Sequence, residues 1–448
     1  MNARTNPLPL GPAAALLLLF APAAADAKTL KVPATHATIQ AAVDAAGPGD
    51  VVLLSGGVHR GRVVVPAGKT GLTIRGIGKP ILDAYPPTSG PGVGLDILAD
   101  DVRLENLNVR HARYASGSAL GIGIRIAGDG ARLEDVHVAD CDWGGLLVNG
   151  DDARLTDCTS SGCGSLTANG YGLFVNGDRA RLIRCSSFGD HDGLTVDGRD
   201  PVVRDCEVLA ATGRGITAFV TSGTSLLLRG CEVRGVVQWP LTVQGGTFVA
   251  KKNLFEGAAG LGVSIASDGT FVDNVVRNSS STFPGLQISS GAVVVADNRF
   301  EDLRGAAIVA KSSFATIVDN EIERCGGVLA APVLHVTGSQ STIAGNRIRG
   351  CRSAALEVGG TGNLVKKNKI VQNHHDGVVI ASGGGHEVRD NTVKWNGGEG
   401  IENRVAGTIA TKNLVLNNRL DVAATAAFGV FVGNEFVTGG VGAAPEFE

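Results

Sequence analysis

The decapeptide GDHDGLTVDG, Gly189 to Gly198, sets Asp190, His191 and Asp192 side by side and places Asp197 five residues beyond Asp192. Carboxylates and an imidazole in one turn can carry protons to and from a reacting group. Three carboxylates within a short segment can also offer oxygen ligands to calcium, which makes Asp190, Asp192 and Asp197 the candidate metal set and calcium the implied ion. With Tyr171 and Arg214 from neighbouring segments, His191 and Asp192 supply the groups that a β-elimination on a uronate requires. These are a base at C5, an acid for the leaving oxygen, and a cation to hold the carboxylate while enolate-like charge develops. Hydrolysis of a glycoside would instead use two carboxylates, Asp192 with Asp190 or Asp197. Asp before Gly is also an ordinary turn residue for local backbone reasons, and the second His-Asp-Gly, from His375 to Gly377, fits that plainer reading.

Where these side chains point depends on the elements that carry them. A short apolar run, an asparagine and an apolar residue one place on recur at Asn253, Asn274, Asn298, Asn320, Asn346, Asn368, Asn391 and Asn413, at intervals of 21 to 26 residues. A period of about 22 marks a solenoid. The same register lands backwards on Cys231, Cys206, Cys185 and Cys158, and forwards on Asn434. A residue repeated once per coil stacks on itself about 4.8 Å away, and a buried amide suits such a column because it can donate to one neighbour and accept from the other. The phrases GLLV, GLFV, GLTV and GLQI put Leu and Val or Ile inward and the residue between them outward. Together with 64 glycines and few aromatics, this predicts short parallel strands. In ATHATIQAAVDAAGPGD, the spacing of Ile39, Ala42, Val43 and Ala46 predicts a helix that caps the open end of the stack.

The opening ATIQAAVDAAGPGDVVLLSGGVHRGRVVV, the phrase GLTIRGIG, the asparagine column and the repeated GLxV strands resemble the right-handed parallel β-helix superfamily, the pectate-lyase-like group that includes carbohydrate-binding and sugar-hydrolase repeats. The resemblance covers almost all of the chain beyond its N-terminal segment. It implies an all-β, right-handed parallel β-helix solenoid, a fold that hosts lyases, hydrolases, epimerases and binding proteins. The Asp-Asp pair and Gly-His-Gly of the polygalacturonase branch do not occur together here. GDHDG is similar to the Asp-Pro-His-Asp of alginate C5-epimerases but lacks the proline.

In the coil register, Tyr171, Asp192, Arg214 and Trp239 each stand just before the Gly or Pro that opens a strand, so they form one row along the solenoid. Two longer turns, RHARYASGSALG and CGSLTANGYG, rise beside that row and bring His111, Arg113 and Tyr114, while the coil between them carries Asp142 and Trp143. Trp143, Tyr114 and Trp239 are candidate faces for sugar rings, and Arg125, Asn149 and Asn176 are outward groups that can hold hydroxyls and carboxylates. Arg110, Arg113, Arg125 and Arg214 favour an anionic polysaccharide as the partner. A second polar patch, His335, Glu357, His374, His375, Asp376 and Glu402, could serve acid–base or metal chemistry, although no aromatic walls accompany it beyond Trp395. Of eight cysteines, the stacked Cys158, Cys185, Cys206 and Cys231 are expected as buried thiols. Cys141 with Cys163, and Cys325 with Cys351, are left open between thiols and disulfides.

The first 27 residues, MNARTNPLPLGPAAALLLLFAPAAADA, have the form of an export signal with Ala25-Asp26-Ala27 as the cleavage site, and their apolar run is too short to span a membrane. The expected organisation is a signal peptide over 1–27, one β-helix domain over 28–438 and a disordered tail over 439–448, in a secreted or periplasmic monomer. A formal net charge of -3 gives no global basic field, which argues against general nucleic-acid binding. The expected function is action on polysaccharide as a lyase or C5-epimerase of uronate-containing chains. The alternatives are a non-catalytic glycan-binding or cell-envelope solenoid and a glycoside hydrolase.

Overall fold

The computed structural model describes residues 27–84, 92–113, 121–164, 170–327 and 331–436. The segment read as an export signal lies outside them apart from Ala27, as do Tyr114 and the expected tail. Among the described residues, 47 short strands build one continuous solenoid, and the named strands pair in parallel. Each coil gives a strand to each of three faces. The first face runs through Gly144–Val148, Tyr171–Asn176, Asp192–Gly198 and Ile216–Val220. The second runs through Arg154–Thr156, Arg181–Ile183, Val202–Arg204 and Ser225–Arg229. The third runs through Thr159–Ser161, Ser186–Phe188, Glu207–Leu209 and Glu232–Arg234.

Alternation fixes the core. Leu146, Val148, Leu173, Val175, Leu194 and Val196 are fully buried, as the GLxV phrases require. The corners of the coils share one device, a left-handed residue followed by an inward one, as at Asp152 before Ala153 and Arg179 before Ala180 between the first and second faces. Between the second and third faces, Asp157, Arg184, Asp205, Gly230, Lys252 and Asp273 take φ of 53° to 66°, and the residues after them are Cys158, Cys185, Cys206, Cys231, Asn253 and Asn274. Five residues later Gly162, Gly189, Ala210 and Gly235 do the same, turning Cys163, Asp190, Ala211 and Val236 into the interior.

The asparagines form the expected ladder. Asn253 Nδ2 donates to Asn274 Oδ1 at 2.9 Å, and equivalent bonds join each rung to the next as far as Asn413 to Asn434, also 2.9 Å. Each acceptor oxygen also takes the backbone N–H of the preceding rung. A second ladder, Asn373 to Asn396 to Asn418, occupies the corner five residues on. All eight cysteines are buried and free, including Cys141, Cys163, Cys325 and Cys351, so no coil is cross-linked.

At the N-terminal end, helix α1 (Ile39–Ala45) begins at Thr38, whose side chain accepts the Ala41 N–H, and it buries Ile39, Ala42 and Val43. It covers the first coils as the helical spacing predicts. No helix of the described residues is long and apolar enough to cross a membrane.

Candidate functional site

A recess of about 130 Å³ opens on the first face, lined by Gly170, Tyr171, Phe174, His191, Asp192, Thr195, Arg214 and Gln238. The coil register builds it, because Tyr171 is paired with Asp192 and Phe174 with Thr195 on adjacent strands. Arg214 enters from the next coil, where its backbone N–H donates to Asp192 Oδ1 at 2.8 Å. His191 Nδ1 lies 3.3 Å from the same oxygen, an ion pair when the imidazole is protonated, and makes no hydrogen bond. The Arg214 guanidinium sits 5.7 Å from the ring centre of Trp239, and no carboxylate of a described residue pairs with it. A Cβ on Gly213 would fall 2.4 Å from Asp192 Oδ1 and 2.8 Å from His191 Cε1, so glycine is what lets this coil pack against the His–Asp pair.

Tyr171 forms the wall of the recess in an orientation that the sequence did not suggest. Its ring lies back across Gly144, and it meets Trp143 edge-on at 4.9 Å and Phe174 at 5.4 Å. The side chain is therefore buried, its hydroxyl has no partner, and burial raises its ionisation far above the ordinary phenol range. The unpartnered atoms continue along the face at Thr217 Oγ1 and Thr242 Oγ1, which follow Thr195 in register.

Asp190 is not in the recess. It fills the inward corner position, where Oδ1 accepts from Cys163 N at 2.7 Å and Ser160 Oγ at 3.2 Å, and Oδ2 from Ser187 Oγ at 2.6 Å. Burial lifts its pKa from 3.8 to about 6, against the lowering effect of those hydrogen bonds. The reason is the left-handed Gly189 before it, which turns the next side chain inward. Gly172 is required opposite, since a Cβ there would fall 2.3 Å from Asp190 Oδ2. Asp197 lies five residues along the strand from Asp192, roughly 16 Å away. The expected calcium set Asp190, Asp192 and Asp197 therefore does not converge, and these residues do not fit the ion.

Three of the four arginines expected to draw an anionic partner already have one. Arg125 grips Asp96 in a two-pronged pair at 2.8 and 2.6 Å, Arg113 holds Asp142 at 2.7 Å, and Arg110 and His111 both reach Asp83. Asn149 and Asn176 are exposed, Trp143 is packed on Tyr171, and Trp239 supports Arg214. Phe174, Thr195, Gln238 and Gly213 were not among the site residues expected from sequence. Phe174 was legible as the outward residue of GLFV, but Gln238 carried no signal.

The second patch assembles in part. His335 Nε2 stands 3.3 Å from Glu357 Oε1 on the neighbouring strand and lowers that carboxyl's pKa. Asp376, Glu399 and Glu402 bring oxygens within 4.8 Å of one another, and Glu399 was not expected there. Burial, then hydrogen bonding with Glu399, pushes Asp376 to about 6. Arg404 takes Glu402 in two bonds of 2.7 Å and Arg419 takes Glu399 at 2.8 Å, so much of this acidic charge is met by the chain itself.

No curated protein matches the sequence. Solved structures match at low identity: a pectate lyase, Pel9A, at 15% identity and TM-score 0.41, over 58% of this chain and 78% of that one. An alginate lyase from a Paenibacillus species is 17% identical with TM-score 0.37, over 63% and 99%. A DFA-IIIase from Arthrobacter chlorophenolicus, without its lid, is 13% identical with TM-score 0.45, over 66% and 95%. At these values the likeness concerns the fold alone. The model of the right handed beta helix region matches residues 94–238 and 242–420, more than half of the chain, which with the stacked coils described above places this protein in the right-handed β-helix family.

Proposed function

We propose that the first face binds a linear acidic polysaccharide and that the His191 recess acts on it as a uronate lyase or C5-epimerase, in a protein exported by its N-terminal segment. The supporting observation is the recess itself, which sets the His191–Asp192 pair beside the Arg214 guanidinium, a cation that no carboxylate of a described residue pairs with. Arg214, alone among the four candidate arginines in lacking a described carboxylate partner, suits the uronate carboxylate.

Both reactions begin with loss of the C5 proton. With the His191 imidazole as acceptor of that proton, the C5–H electron pair spreads into the carboxylate held by Arg214. In elimination that pair forms the C4–C5 double bond, the C4–O4 bond breaks with its electrons on O4, and a proton returns to O4. In epimerisation C5 takes a proton from the opposite side. Asp192 faces the imidazole and, through the Arg214 N–H, ties the base to the coil that carries the cation. Hydrolysis is less well supported, because the second carboxylate is either buried (Asp190) or roughly 16 Å away (Asp197), beyond the ~6.5 to 9.5 Å that inversion uses.

The test is an ultraviolet assay for unsaturated uronates over a panel of acidic polysaccharides, run beside NMR detection of deuterium entering C5 from heavy water. Turnover in either assay should fall at least ~100-fold in His191→Ala and Asp192→Asn, and should survive chelation because Asp190, Asp192 and Asp197 do not converge on one point. Binding without turnover would move the protein to the non-catalytic glycan-binding reading, which the Tyr171 hydroxyl favours by lying against Gly144. Absence of both binding and turnover would overturn the proposal.

A further inference from the structure

The outward side of the second face changes character along the solenoid. At one register position it carries Arg103, Arg132, Arg154 and Arg181 on four successive strands. The same position then holds Val202, Leu227, Val249 and Thr270. All four arginines are exposed, and none has a hydrogen bond or ion pair to a described residue. Elsewhere this chain neutralises an outward arginine with an aspartate one coil away, as in Arg125 with Asp96, Arg179 with Asp152 and Arg184 with Asp157. Here it stacks four like charges about 4.8 Å apart, an arrangement that destabilises a sheet.

The nearest acidic groups do not close the gap. In the preceding turn, Asp100, Asp129, Asp151 and Asp178 each spend Oδ1 on a backbone N–H of the following coil, at 2.8 to 2.9 Å. Asp152 feels Arg154 and Arg181 through space, but its hydrogen bonds go to Arg179. On the same face Glu105 pairs with Arg75, and Glu134 lines the same shallow groove as Arg103, Arg132 and Arg154 without an ion pair to a described residue, so two glutamates stand beside four arginines. The result is a cationic rail along the solenoid axis in a protein whose net charge is -3.

We infer that this arginine ladder is a binding site for a linear carboxylate-bearing glycan laid parallel to the solenoid axis, on a different face from the His191 recess and independent of what that recess does. Guanidinium groups accept carboxylates as two-pronged partners. Their repeat of about 4.8 Å is comparable to the advance of a pyranose chain that carries one acid per ring. A nucleic acid fits less well. Single strands bind through aromatic platforms, whereas the neighbouring outward positions hold Glu105, Glu134, Thr156 and Ile183.

The experiment is calorimetric titration of the full chain with a polygalacturonate decamer, its fully methyl-esterified form and a single-stranded DNA of equal charge. Two variants are compared with the wild type: Arg132→Gln/Arg154→Gln, whose exposed side chains hold no described partner, and Arg214→Gln. The acid decamer should bind at two sites. The double variant should lose one of them, with at least a tenfold weaker Kd and a shallower dependence on salt, and its thermal unfolding should match the wild type. The methyl ester should not bind that site. A single remaining site that is insensitive to Arg214→Gln but lost in the double variant would refute the recess reading and keep this one. Unchanged binding in the double variant, equal binding of the ester, or DNA that binds as tightly and is lost in the same variant would each overturn it.

Discussion

Burial holds the Asp190 carboxyl at a pKa of about 6, above its ordinary 3.8, so the folded protein takes up a proton there more readily than the unfolded chain. A raised acid of this kind favours the fold below the lower value and works against it as pH climbs through the interval towards 6. Asparagine occupies the same corner position at Asn373, Asn396 and Asn418. Asp190→Asn is therefore expected to fold, and its stability relative to wild type should increase between pH 4 and pH 7 by an amount on the order of 1 to 3 kcal/mol. Chemical denaturation at several pH values measures this; a difference that does not change with pH would show that Asp190 is not protonated in the fold. Gly213→Ala probes the recess from behind. The new methyl meets the movable side chains of Asp192 and His191, so glycan affinity or turnover should fall at least tenfold while the melting temperature shifts by only a few degrees. Unaltered turnover would place the chemistry elsewhere.

At the scale of the elements, the asparagine ladder separates interior rungs from the terminal one. Asn346 donates to Asn368 and to the Ile317 carbonyl and accepts from the Asn320 side chain and backbone. Asn346→Ala removes all four bonds and leaves buried partners unpaired, which at about 1 kcal/mol each implies a loss of ~3 to 4 kcal/mol. Asn434, partly exposed, accepts from Asn413 and donates to the Ala410 carbonyl. Asn434→Ala should cost less than half as much. Urea unfolding of the two variants decides; equal losses would mean that the rungs do not act through burial. The ladder was legible because its period and residue type recur. The corners were not anticipated from the sequence: Asp, Lys, Arg or Gly takes the left-handed backbone before each rung, and Lys and Arg carry no local preference for it, so the stacking of coils imposes the turn.

For the molecule as a whole, each coil touches mainly its neighbours, so stability is a sum of rungs and interfaces along one axis. The eight cysteines lie within those interfaces, all buried and none in a disulfide. A thiol reagent should therefore leave the native protein unmodified and react only as coils open, at rates that follow unfolding monitored by circular dichroism. Rapid modification of any thiol in native buffer would contradict the packing. Face identity also belongs to this scale: the His191 recess and the arginine ladder lie on different faces of overlapping or adjacent coils, so substitutions in one should leave ligand binding at the other intact.

The sequence by itself determined the period, the inward columns, the capping helix and the row from Tyr171 to Trp239, because a solenoid repeats local rules and each coil obeys the alternation of a strand. It did not determine which polar side chains remain free. Asp190 and Asp192 are two residues apart, yet Gly189 sends one into the core and leaves the other in the recess. Arg125 and Arg214 looked alike, yet a carboxylate one coil away consumes the first while the second rests on Trp239 with no carboxylate of a described residue beside it. Those outcomes depend on contacts between residues 20 to 30 positions apart, set by the register of one coil on the next. Only the tertiary structure decides them, since the same residue type becomes a buried rung, half of an ion pair or an open ligand group according to what the adjacent coil places against it.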